Sequence, residues 1–110
     1  MKIIEHSQKR LRLRVGWLNG SLCTLDRDAR HAEVARLFAG VPVSRKRVPL
    51  ASASGATVKK RSRRNAYCPR IEGRWREALP LATCSKEDAL LAAQAIRDFL
   101  SQVEASLPHG

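Results

Sequence analysis

Arg10-Leu11-Arg12-Leu13-Arg14-Val15-Gly16-Trp17-Leu18-Asn19-Gly20-Ser21-Leu22-Cys23-Thr24-Leu25-Asp26 is the stretch whose reading decides the fold. From Arg10 to Val15 charged and apolar residues alternate strictly. Successive side chains of an extended chain point to opposite faces, so Leu11, Leu13 and Val15 share one face and three arginines the other. Asn19-Gly20 follows, the preferred dipeptide of a two-residue hairpin turn because both positions tolerate positive φ. A second strand over about residues 21–26 is expected to pair back on the first.

Downstream, Asp26-Arg27-Asp28 reads as a turn into a strand from about residue 31 to 38. The same residues also allow a helix capped by Asp28, with Val34, Leu37 and Phe38 on one side and Gly40 as its stop. Pro42 and Pro49 punctuate the stretch around residues 43–50, and the small residues 51–56 suit a loop or a sheet edge. Residues 59–65 form a polar turn. Glu72-Gly73 reads as a second hairpin turn between residues 67–71 and 74–81, with Pro69 confining its strand to an edge or a bulge.

The C-terminal element is a helix. Ser85 suits its N-cap with Asp88 at the third helical position, Glu87 and Asp88 complement the positive end of the helix dipole, and no Gly or Pro intervenes before Pro108. Ala89, Ala92, Ala93, Ile96, Phe99, Leu100 and Val103 recur at helical spacing, a stripe that covers the open sheet face. The expected fold class is α+β: antiparallel β-hairpins forming a sheet or partial barrel, capped by one C-terminal amphipathic helix. A length of 110 residues suits one domain, mostly β over residues 1–84 and helical over 85–107.

Charge is the informative part of the composition. Lys and Arg number 21 against 10 Asp and Glu, a net charge of +11. Residues 85–110 hold two basic and four acidic side chains, which leaves an excess of thirteen positive charges in the first 84 residues. They concentrate in residues 9–14, in Arg45, Lys46 and Arg47, and in Lys59, Lys60, Arg61, Arg63 and Arg64. Such density implies a negatively charged partner. The arginines at 10, 12 and 14 suit a merely solvated strand face. The run from Lys59 to Arg64 does not, because five like charges in six residues repel one another.

Several function classes are disfavoured. There is no G-x-S-x-G, no Gly-rich phosphate loop, no H-E-x-x-H and no carboxylate cluster outside the helix start, so no catalytic residue and no cofactor is expected. Cys23, Cys68 and Cys84 lie far apart without a C-x-x-C pair and, with His6, His31 and His109 isolated, suggest reduced, partly buried thiols and no metal site. Cys84 does sit just before the helix N-terminus, a place that lowers a thiol pKa. No uncharged stretch, residues 48–58 included, is long enough to span a bilayer, and the opening residues lack the apolar core of a secretory signal. A cytoplasmic location is expected.

Short motifs along most of the chain resemble a group of small bacterial proteins with pleckstrin-homology-like cytoplasmic domains. They are Lys2-Ile3-Ile4-Glu5-His6-Ser7 with Arg10-Leu11-Arg12-Leu13, then Cys23-Thr24-Leu25-Asp26-Arg27, Arg47-Val48-Pro49-Leu50, and Leu79-Pro80-Leu81 leading to Ile96-Arg97-Asp98-Phe99-Leu100. Proteins similar to this one usually carry a pair of membrane helices directly after the opening strand, where this sequence has Trp17-Leu18-Asn19-Gly20. The resemblance implies a fold and no activity.

The functional expectation is a non-enzymatic interaction module whose basic loops dock on an acidic protein or an anionic membrane surface, at the cytoplasmic face of a membrane in the second case. The alternative is a nucleic-acid-binding protein directed at the backbone. It requires Tyr67 and Trp75 to lie on the same face as residues 59–64, since bases stack on aromatics and few are available. Binding residues are therefore Arg45, Lys46, Arg47, Lys59, Lys60, Arg61, Arg63, Arg64, Tyr67 and Trp75.

Overall fold

Leu11, Leu13 and Val15 are fully buried while Arg10, Arg12 and Arg14 remain half-exposed, so the alternating hexapeptide is a strand with one face in the core. It is β2 (Arg10–Val15) of a computed structural model that describes residues 1–16, 19–61, 66–74 and 78–106. β1 (Lys2–His6), β2, β3 (Ser21–Asp26), β4 (His31–Phe38) and β5 (Val41–Pro49) pair in chain order as a five-stranded antiparallel sheet. A single 3₁₀ turn, Leu50–Ser52, leads to a second antiparallel sheet of β6 (Ala53–Lys60), β7 (Tyr67–Gly73) and the two-residue β8 (Leu79–Pro80). The helix α1 (Lys86–Ser106) ends the fold. Two unclosed antiparallel sheets and one C-terminal helix make the fold α+β, as the sequence predicts.

Residues 31–38 resolve as strand. Their backbone groups find partners on both sides, in β3 and β5, and Ala32 and Val34 enter the core on alternate positions as a strand requires. α1 lies against β6 and β7 and reaches β2, burying Ala89, Ala92, Ala93, Ile96, Phe99 and Leu100. The side chain of Val103 lies outside the described residues. Ser85 caps the helix, its Oγ accepting the Asp88 N–H at 3.2 Å. The Arg27 guanidinium sits 5.8 Å from the centre of the buried Phe99 ring and closes that end of the core.

Three turns differ from expectation. Val15 pairs with Ser21, so the first reversal takes residues 16–20 and is not a two-residue Asn-Gly turn. Positive φ falls on Gly16 (80°), while Gly20 is required for closeness, because a Cβ there would run into the Val15 carbonyl oxygen. The tight turn with two positive φ values sits instead at Ala39 (52°) and Gly40 (81°), between the paired residues Phe38 and Val41. Glu72 and Gly73 lie within β7, so they are not the turn between two strands.

Pro69 is neither on an edge nor in a bulge, since β7 is the middle strand of its sheet. Leu81 N–H donates to the Pro69 carbonyl at 2.9 Å, which places the missing proline N–H opposite the Leu81 carbonyl. That oxygen accepts the Cys68 thiol at 3.0 Å. A neighbouring side chain thus replaces the donor that proline lacks.

Candidate functional site

The basic residues predicted at 45–47 lie on a strand and not in a loop. β5 is the edge of the five-stranded sheet, and Arg45, Lys46 and Arg47 are all exposed. Leu50 N–H donates to the Arg30 carbonyl across the β4–β5 ladder at 3.0 Å. Because bonding alternates along an antiparallel ladder, Val48, Lys46 and Ser44 direct their main chain to β4, while Arg45, Arg47 and Pro49 face outward. Pro42 also faces outward, its partner Leu37 donating instead to Gly20 at 2.9 Å. Both prolines therefore turn their missing N–H to the free edge, where none is needed. Prolines and cations together keep the edge from pairing with another copy.

The side chains of β5 divide between two faces. Arg45 and Arg47 share the outer face with Glu33, each 3.8 Å from its carboxylate. On that face Arg10 also contacts Asp26 at 3.1 Å and Glu5 at 3.7 Å. Lys46 stands on the opposite face, opposite Val34 and two residues from Ser44, whose partner is Arg36. Lys59 and Lys60 end β6, not a turn, and the Arg61 N–H donates to the Ala66 carbonyl at 2.8 Å to close the loop after it. Among the described residues, Arg36, Lys46, Lys59, Lys60 and Arg61 form no ion pair.

One open cleft of about 750 Å³ joins these elements. Arg36, Phe38, Val43 and Ser44 line it from the β4–β5 hairpin, Arg61 from the end of β6, and Pro80 to Thr83 from the segment after β7. Among the described residues, no carboxylate lines it. Tyr67 pairs with Lys60 and so shares its face, half-buried. Arg63, Arg64, Trp75 and Trp17 lie outside the described residues.

Arg36, Phe38 and Val43 were not among the sequence-predicted site residues. A signal was present: in β4 the core-facing alternation Ala32, Val34 continues to Arg36 and then Phe38, and an arginine in a core row shows that the sheet has outrun the core.

Neither Cys23 nor Cys84 is an activated thiol. Burial pushes Cys23 up to about 12, and burial followed by the Asp88 carboxylate pushes Cys84 up to about 11, against the direction expected beside a helix N-terminus. Among the described residues, no three His, Cys, Asp or Glu side chains gather as a metal site requires, and no helix is long and apolar enough to cross a membrane. No family model, curated protein or solved structure matches the chain.

Proposed function

We propose that this protein is a non-enzymatic interaction module that docks on an acidic partner through Arg36 of β4, Lys46 of β5 and the cations at the end of β6. The observation that carries the reading is the cleft wall. Arg36 of β4 and Arg61, just past the end of β6, face one concavity with no carboxylate among its described lining residues, and Lys46, Lys59 and Lys60, unpaired among the described residues, stand nearby on β5 and β6. Each such cation contributes on the order of 1 kcal/mol near an anionic surface, so five suffice for reversible docking without a deep pocket. By contrast, Arg10, Arg45 and Arg47 already face carboxylates and have less charge to offer. The order of hairpins followed by one helix supports the pleckstrin-homology-like reading of the sequence.

A nucleic-acid backbone is the second reading, favoured by Tyr67 on the face of Lys60. The deciding experiment compares Lys46→Ser/Lys59→Ser/Lys60→Ser with Lys2→Ser/Lys9→Ser/Lys86→Ser, which removes the same charge elsewhere. Binding is titrated with salt against polyglutamate, anionic vesicles and mixed-sequence nucleic acid. The first variant is expected to lose affinity and salt slope for the true class of partner while the second keeps them. Equal losses in both would mean that net charge alone is at work.

A further inference from the structure

The β4–β5 hairpin leaves the core while its tip is still apolar. Phe38, Val41 and Val43 are 65%, 60% and 64% exposed, the three most exposed large apolar residues described. Phe38 and Val41 face each other across the Ala39-Gly40 turn, and Phe38 and Val43 share a cleft wall with Arg36. The turn is fixed: the Ala39 N–H donates to Asn19 Oδ1 at 3.4 Å, and Ala39 is held at a positive φ that an alanine rarely adopts. The tip is built to project.

Behind it both arms turn basic, with Arg36 on β4 and Arg45, Lys46 and Arg47 on β5. Glu33, the hairpin's one carboxylate, lies further from the tip than Arg36. At about 3.3 Å per residue the apolar side chains sit within roughly 10 Å of the turn and the cations begin roughly 10–15 Å from it. Amphipathic elements bury their apolar part about 5–10 Å into the boundary between headgroups and acyl chains, which places cations behind them at the phosphates. A second copy of this chain would bring the same positive band against this one, and so is a poor occupant.

We infer that the β4–β5 hairpin inserts its tip into an anionic lipid surface, with Phe38, Val41 and Val43 below the phosphates, Arg36 nearest them, and Arg45, Lys46 and Arg47 behind it within the field of the surface. This rests on the reading of the basic surface as a dock for an acidic partner. The test is co-sedimentation with phosphatidylcholine vesicles, with and without phosphatidylglycerol, beside binding to soluble polyglutamate. The wild type is expected on phosphatidylglycerol vesicles only. Phe38→Ser/Val41→Ser/Val43→Ser, which keeps every charge, is expected to lose vesicle binding by about tenfold or more while its affinity for polyglutamate holds. In Phe38→Trp, the emission gained over the wild type is expected to shift blue on vesicles and to be quenched by lipids brominated on the acyl chain.

The inference is overturned if the triple variant keeps its vesicle affinity, if it loses polyglutamate equally, or if the added tryptophan is not quenched. Retained polyglutamate binding by a wild type that ignores vesicles would sink the lipid assignment and leave the acidic-partner reading standing. Loss of both would sink the two together.

Discussion

Asp26 shows how one residue serves strand, turn and charge at once. It is buried at the end of β3, where its carboxylate accepts the Ala29 N–H at 3.0 Å and the Arg10 Nε–H at 3.1 Å. The Ala29 N–H, together with the Arg10 hydrogen bond and charge, holds its carboxyl below the usual range although burial pushes the other way. A carboxyl lowered in the folded state stabilises fully above its unfolded pKa of about 3.9, and the contribution is lost as pH falls through the folded value. Asp26→Asn is therefore expected to cost roughly 1–2 kcal/mol at neutral pH. In urea denaturation the two proteins should converge below about pH 4. A gap that persisted undiminished into acid would assign the loss to shape and not to the charge.

At the scale of elements, the β4–β5 turn carries the next prediction. Ala39 at φ 52° bears left-handed strain of about 1–2 kcal/mol that glycine would not, partly offset by glycine's greater freedom in the unfolded chain. Ala39→Gly should therefore stabilise by on the order of 0.5 kcal/mol, read as a higher denaturation midpoint at an unchanged slope. A lower midpoint would show that the Asn19 contact depends on the alanine backbone. The strands that form through alternation, β2 above all, were legible in the sequence, as was α1, where cap, dipole and apolar stripe agree. The turns were less so. Asn19-Gly20 has the composition of a tight turn, yet Gly20 serves backbone approach to Val15, a long-range demand that a dipeptide does not display. Pro69 in a middle strand depends on a thiol from the preceding residue and a carbonyl twelve residues on. Of the site, the cations were legible from charge density. The meeting of Arg61 with Arg36 and Phe38 in one cleft was not, because it brings together segments distant in sequence.

Over the whole molecule the excess of positive charge opposes folding. Lys59, Lys60 and Arg61 are consecutive and exposed, and Arg36 shares a cleft with Arg61. Two unit charges about 6 Å apart in water repel by somewhat under 1 kcal/mol, and the Debye length contracts from about 30 Å at 0.01 M salt to about 10 Å at 0.1 M. Screening also weakens the favourable pairs of Arg10 with Asp26 and of Glu33 with Arg45 and Arg47, but the sign of the sum follows the net charge of +11. Raising sodium chloride over that range is expected to stabilise the protein by on the order of 1 kcal/mol, a few degrees in Tm. Lys59→Ser/Lys60→Ser/Arg61→Ser should be the more stable protein at low salt and respond less to its addition. Stability that fell with salt would mean that the ion pairs of the outer sheet face outweigh the repulsion. In the expected case, the side chains that weaken the free protein are those an anionic surface would neutralise, so binding and folding would be coupled through the same few cations.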